Sequence, residues 1–167
     1  MKQKDLIFTT PDEELLNDIV GAIKDNGGYC CCAITKTEDD KCMCKKFREQ
    51  ENAGFCHCGR YYKVKNAETI VIIGDCENGG ANVEEKINAL LDTLDGFGFI
   101  VTFIKRKSTG NLSQYFAMRE TCFTKIAKAD LVVTVGAITE NINEFLEWAA
   151  EIGKPVTDTL RLVGDNQ

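Results

Sequence analysis

Seven of the nine cysteines in this 167-residue chain fall between Cys30 and Cys58, and that density constrains the fold more than any apolar pattern elsewhere. They include three Cys-x-Cys pairs, Cys30/Cys32, Cys42/Cys44 and Cys56/Cys58. Cys31 stands inside the first pair, and the single histidine, His57, inside the third. From Tyr29 to Lys65 there is little apolar periodicity, so burial alone does not fold the segment and the cysteines are the available cross-link. A chain concentrates thiols in this way to hold a metal or cluster, to run thiol–disulfide chemistry, or to staple a small secreted fold.

The surrounding sequence weighs against the last option. The start, Met1 to Pro11, is positively charged but has no apolar core of a secretory signal. No apolar run approaches the ~18 residues of a membrane span. A cytoplasmic location is therefore expected, and there clustered cysteines more often bind metal or act catalytically. A hydrophobic fraction of 44% with 28% charged residues is that of a globular chain, not a disordered one. The net charge of −6 lies wholly in residues 68–167, since residues 1–67 carry 11 basic and 11 acidic side chains. No basic block interleaved with aromatics occurs, which argues against a nucleic-acid partner.

A first helix is expected after Thr10 as cap, with Pro11 at its first position and Glu13 completing a capping box. Leu15, Leu16, Ile19, Val20 and Ile23 give it one apolar face, and Asn26-Gly27-Gly28 ends it. That face is expected to cover the cysteine segment. A short helix over Lys45–Glu51 follows, and Lys65-Asn66-Ala67 is the expected domain boundary. Beyond it the pattern changes. Strands at 69–73, 99–104 and 129–135 alternate with helices at 83–94, 112–128 and 141–152, and Pro155-Val-Thr begins a fourth strand. Such alternation implies a parallel sheet with right-handed crossovers. The loop Gly74–Asn82 is neither a dinucleotide-binding nor a Walker A loop, and Asp75 and Glu77 oppose an anion, so it is expected to be a plain loop. Cys76 and Cys122 are expected as inert thiols, with Trp148 and the phenylalanines of this half in the core.

Tetrahedral zinc takes four ligands, and so does a four-iron cluster. Six paired thiols exceed either need by two. Four ligands plus one dithiol would use all six, with the two spare thiols forming a disulfide that a redox-active cluster could reduce.

The run Asn26-Gly-Gly-Tyr-Cys-Cys-Cys, then Thr37 to Gln50 with Cys42-Met-Cys44, then Cys56-His-Cys-Gly-Arg-Tyr-Tyr62, resembles the catalytic (beta) chain of ferredoxin:thioredoxin reductase, closest to its short bacterial and archaeal members. The likeness covers about residues 8–65. It implies a 4Fe-4S cluster on Cys30, Cys42, Cys44 and Cys56, and a redox disulfide between Cys32 and Cys58. It further implies that Cys32 is the exposed thiol that attacks the substrate and that His57 exchanges protons beside the pair. The implied partners are a ferredoxin-like electron donor and a thioredoxin- or glutaredoxin-like protein substrate. Two positions depart from the family pattern: Cys31 replaces the proline of the first pair, and Ala33 the arginine that commonly follows.

The second half faintly resembles nucleoside deoxyribosyltransferases and related Rossmann-like families, through Ala129 to Val135 and an acidic helix ending Gly153-Lys-Pro-Val156. Glu144 stands one residue off the nucleophile position of that pattern, with Phe145 in its place, and Gly136 to Asn143 lacks the Asp-x-Gly-Thr approach. Transferase activity is not expected. The resulting expectation is an α+β two-domain protein: a small helical Cys-rich iron-sulfur domain over residues 1–66, then an α/β Rossmann-like parallel-sheet domain over 67–167. Its expected activity is ferredoxin-dependent disulfide reduction. The alternatives are a cluster-based redox sensor fused to a ligand-binding α/β domain, and a zinc-stapled binding protein.

Overall fold

A computed structural model of the chain describes residues 5–65, 67, 69–96, 99–106, 111–159 and 161–164. The expected boundary residue Asn66 lies outside them, as do Met1–Lys4 of the N-terminal stretch. The described residues divide into two compact units, those within Met1–Asn66 and Arg161–Gln167 and those within Ala67–Leu160. No helix among them is long and apolar enough to cross a membrane.

The first unit is built on an antiparallel sheet in the order β2-β3-β1-β8, from Gly54–Phe55 (β2), Tyr61–Val64 (β3), Leu6–Thr9 (β1) and Leu162–Gly164 (β8). β1 runs in register against β3 from Leu6↔Val64 to Thr9↔Tyr61. Leu6, Ile7 and Phe8 are buried, and Phe8 stacks on Tyr62 at 5.0 Å. Arg161, just before β8, donates from Nη1 to the Thr10 carbonyl at 3.0 Å. The expected second domain of 67–167 thus loses its last residues to the first unit.

The helical Cys-rich domain expected for residues 1–66 is not what forms. Helix α1 (Glu13–Asp25) and the single turn α2 (Lys45–Arg48) flank a sheet, and the cysteines sit mostly in the loops between. Leu-Ile-Phe-Thr and Tyr-Tyr-Lys-Val are four-residue runs rich in aromatic and β-branched residues, well suited to strands but too short to display a period.

Helix α1 begins two residues later than expected. Asp12 is its cap, with the side chain accepting from the Leu15 N–H at 2.9 Å, and Thr10 instead accepts from the Asp12 N–H at 3.4 Å. Of its apolar face only Ile19 and Ile23 are fully buried, while Leu15 and Val20 are exposed.

The second unit is a parallel sheet in the order β5-β4-β6-β7, from Ile100–Arg106, Thr69–Asp75, Leu131–Thr134 and Val156–Asp158. Helices α3 (Val83–Gly96), α4 (Leu112–Lys128) and α5 (Glu140–Glu151) alternate with the strands, close to the expected places. The central strands β4 and β6 are buried nearly throughout, as a sheet covered on both faces requires. Val71, Ile73, Val132, Ile126, Ile142 and Phe145 form one core, against which Trp148 and Phe123 pack. Phe103 and Phe116 are exposed, contrary to the expectation that the phenylalanines of this half are core, because neither joins that cluster. Cys122 is buried in the core and Cys76 is half-buried.

Candidate thiol-rich site

Two short backbone ties bring the first two cysteine pairs together. The Cys30 N–H donates to the Asp40 carbonyl at 2.8 Å and the Cys42 N–H to the Gly28 carbonyl at 3.2 Å, around an antiparallel bridge between Tyr29 and Lys41. Asp40 holds the intervening turn by accepting from the Thr37 N–H at 3.0 Å and from the Thr37 and Thr35 hydroxyls at 2.7 and 3.0 Å. Cys44 then caps α2, whose Phe47 side chain is buried and gathers Cys56, Cys44, Cys58 and Tyr61 around it.

The anchor of α2 is Lys63 on β3, a lysine of which 1% is exposed. Its Nζ donates to the carbonyls of Phe47, Arg48 and Gln50 at 2.9, 2.9 and 3.2 Å and lies 3.8 Å from Asp5. A helix end leaves its last carbonyls short of partners, and one ammonium with three protons reaches two at the end of α2 and a third just beyond it.

The third pair forms a tight turn closed by the Gly59 N–H on the Cys56 carbonyl at 2.9 Å. The Tyr61 N–H donates to the Cys56 sulfur at 3.2 Å, and the Cys58 sulfur lies 3.5 Å from it. The hydrogen bond from Cys58, joined by backbone N–H groups of Tyr61, Arg60 and Gly59, pulls the Cys56 thiol down to about 6 against the opposing effect of burial. The same bond, with burial, pushes Cys58 up. Of the pair, Cys56 is the thiol pulled down and Cys58 the one pushed up. Arg60 Nη1 donates to the Cys42 sulfur at 3.1 Å. Burial raises the Cys42 thiol while the Arg60 charge opposes that rise.

Cys30, Cys32, Cys44 and His57 open onto one cavity of about 540 Å³, rimmed by Ala33, Ile34 and the charged residues Asp39, Lys45 and Glu49. Cys30 is buried, whereas Cys31, Cys32 and His57 are exposed. The Cys30, Cys31 and Cys32 sulfurs lie within 4.8 Å of one another, close enough to share a metal ion. Desolvation, with hydrogen bonding and charge from Cys31 and Cys30, pushes the Cys32 thiol up to about 11. Among the described contacts Cys32 meets Cys31 at 4.0 Å and Cys58 meets Cys56, and no disulfide joins the seven cysteines of the segment.

Sequence reasoning missed Arg60, Tyr61 and Lys63. The signal for Arg60 was its place directly after the Cys-x-Cys-Gly turn, where a cation lies within reach of the cysteine sulfurs. Nothing in the sequence marks Lys63 as buried.

The loops of the second unit are packed for structure. Asp75, 1% exposed, accepts from the Glu77 and Asn78 N–H groups at 3.0 Å each, the Thr139 hydroxyl at 2.7 Å and the Asn141 amide at 2.8 Å. Burial opposes its ionisation, but these donors outweigh it and hold the carboxyl well below the usual range. The loop after β4 meets the loop after β6 where Ala137 donates to the Gly79 carbonyl at 2.8 Å. Gly136 there has φ +82°, and a Cβ on it would come 2.5 Å from that carbonyl. Glu144 accepts from Tyr115 at 2.9 Å and pairs with Arg119 at 3.0 Å.

No protein-family model, curated protein or solved structure matches the chain.

Proposed function

We propose that the first unit is an iron-sulfur disulfide reductase, with Cys30, Cys42, Cys44 and Cys56 holding a 4Fe-4S cluster and Cys32 and Cys58 forming the redox dithiol. The observation that carries this reading is the unequal treatment of the third pair. Cys56 is buried, receives the Tyr61 N–H and is stabilised as a thiolate, while Cys58 beside it is kept protonated. One Cys-x-Cys pair thereby contains one sulfur suited to a metal and one left as a protonated thiol outside the ligand set.

The burial and chemistry of the donor set support this reading. Its four sulfurs are buried or half-buried, as a group needing shelter from water requires, and Arg60 places a positive charge and an N–H donor against Cys42. When bound, the cluster supplies electrons one at a time from a ferredoxin-like donor. The remaining chemistry belongs to the side chains. Cys32, once deprotonated, attacks one sulfur of a protein disulfide and expels the other as a thiolate, leaving a mixed disulfide. A second thiol of this chain, Cys58 by resemblance, attacks the Cys32 sulfur and releases the substrate as a dithiol. His57, exposed on the rim of the cavity that Cys32 also lines, is the proposed acceptor and donor of the Cys32 proton. The substrate is a thioredoxin- or glutaredoxin-like protein.

The test is turnover of a thioredoxin disulfide with chemically reduced ferredoxin under anaerobic conditions. Measurable turnover supports the reading. No turnover by protein that carries its full cluster contradicts it and favours a sensor.

A further inference from the structure

We infer that Arg60, acting through Cys42, raises the reduction potential of the cluster held by the thiol-rich site. The inference rests on the cluster reading given above and deepens it. Arg60 follows the third cysteine motif, yet its Nη1 donates to the Cys42 sulfur of the second, 18 positions away, at 3.1 Å. Its Nε is buried and meets no acceptor among the described residues. No carboxylate pairs with it among those residues, although Lys41, Lys45, Lys63 and Arg119 each have one. The guanidinium lies over the Tyr61 ring at 4.8 Å, and that ring stacks on the buried Phe47 at 6.1 Å, which holds the charge in place. The backbone of the next residue joins in, since the Tyr61 N–H donates to the Cys56 sulfur at 3.2 Å. Two of the four proposed ligand sulfurs thus take N–H donors from one short segment.

A half-buried cation without a carboxylate is costly beside neutral thiols and favourable beside thiolates. Four thiolates around a cluster are the anion that suits it, and the buried Nε–H is a further donor for sulfur. Each electron added makes such a site one charge more negative. A fixed cation and N–H bonds to sulfur therefore stabilise the reduced state more than the oxidised one. Net charge and hydrogen bonds to the sulfurs are among the factors that set the potential of iron-sulfur proteins. The transfer itself is simple: a ferredoxin-like donor loses one electron and the site gains it, with no bond made or broken. With Arg60 in place, such a donor reduces the site more completely before the disulfide is engaged.

The experiment is an anaerobic redox titration of the full chain followed by electron paramagnetic resonance, with iron and acid-labile sulfide counted on every sample. The parent is compared with Arg60→Met, Arg60→Gln and Arg60→Lys. The Met and Gln variants lack the charge and are expected to be about tenfold harder to reduce, a fall of about 59 mV for one electron. Arg60→Lys keeps the charge and is expected to recover most of that fall. A purely structural role would alter the stability of all three without ordering their potentials by charge. A Met or Gln variant with its full cluster and the potential of the parent would overturn the inference and leave the cluster reading intact. Loss of the cluster from all three variants would also overturn it, making Arg60 a requirement for binding. A parent chain that holds no cluster would contradict the cluster reading, and the inference with it.

Discussion

Arg60 Nη1 donates to the Cys42 sulfur at 3.1 Å across eighteen positions of sequence, tying the third cysteine motif to the second. The tie is charge-assisted, and the guanidinium also lies over the Tyr61 ring at 4.8 Å. Arg60→Met keeps the aliphatic stem and deletes the donor. We expect it to lose about 1–3 kcal/mol in denaturant unfolding and to surrender bound metal to a chelator faster than the parent. Unchanged release would mean that Arg60 serves packing alone.

Lys63 is the internal strut of the same unit. Lys63→Met removes the ammonium from the carbonyls of Phe47, Arg48 and Gln50, of which Phe47 keeps the Gln50 N–H at 3.1 Å. The expected loss is about 2–4 kcal/mol, read from the denaturant midpoint. Because α2 carries Phe47, metal retention should fall with it. A neutral Lys63→Met would show that the three carbonyls find other donors.

These two residues also mark the limit of what the sequence discloses. The alternating strands and helices of residues 69–158 were legible, because buried apolar runs of strand length and helical periodicity each repeat there. The gathering of thiols was legible, and the structure brings Cys30, Cys31 and Cys32 close enough to hold a metal ion. The antiparallel sheet of the first unit was not, since β1 and β3 are four residues each and β8 arrives from the far end of the chain. Long-range pairing leaves no local period. Lys63 was invisible for a related reason: a lysine is read as solvated unless the three carbonyls that receive it are already in view.

The Asp75 carboxylate makes the second unit sensitive to acid. Its folded-state ionisation lies below the unfolded value of about 3.9, so its contribution is present in full above that pH and is lost as pH falls further. Asp75→Asn is expected to cost about 1.5–3 kcal/mol at neutral pH and to flatten the loss of stability below about pH 4. An acid limb equal to the parent's would assign that limb to other carboxylates.

Cys32→Ser separates chemistry from assembly. The side chain is exposed and outside the proposed ligand set, so the variant should keep the metal content of the parent. Its disulfide turnover should fall below about a hundredth of the parent rate. Full activity would contradict the role given to Cys32.

The most direct test of the whole account is the iron, acid-labile sulfide and zinc content of the full chain purified without oxygen. The account predicts about four irons and four sulfides per chain, with no stoichiometric zinc. One zinc and no sulfide would contradict it, and would make the three Cys-x-Cys pairs a structural staple.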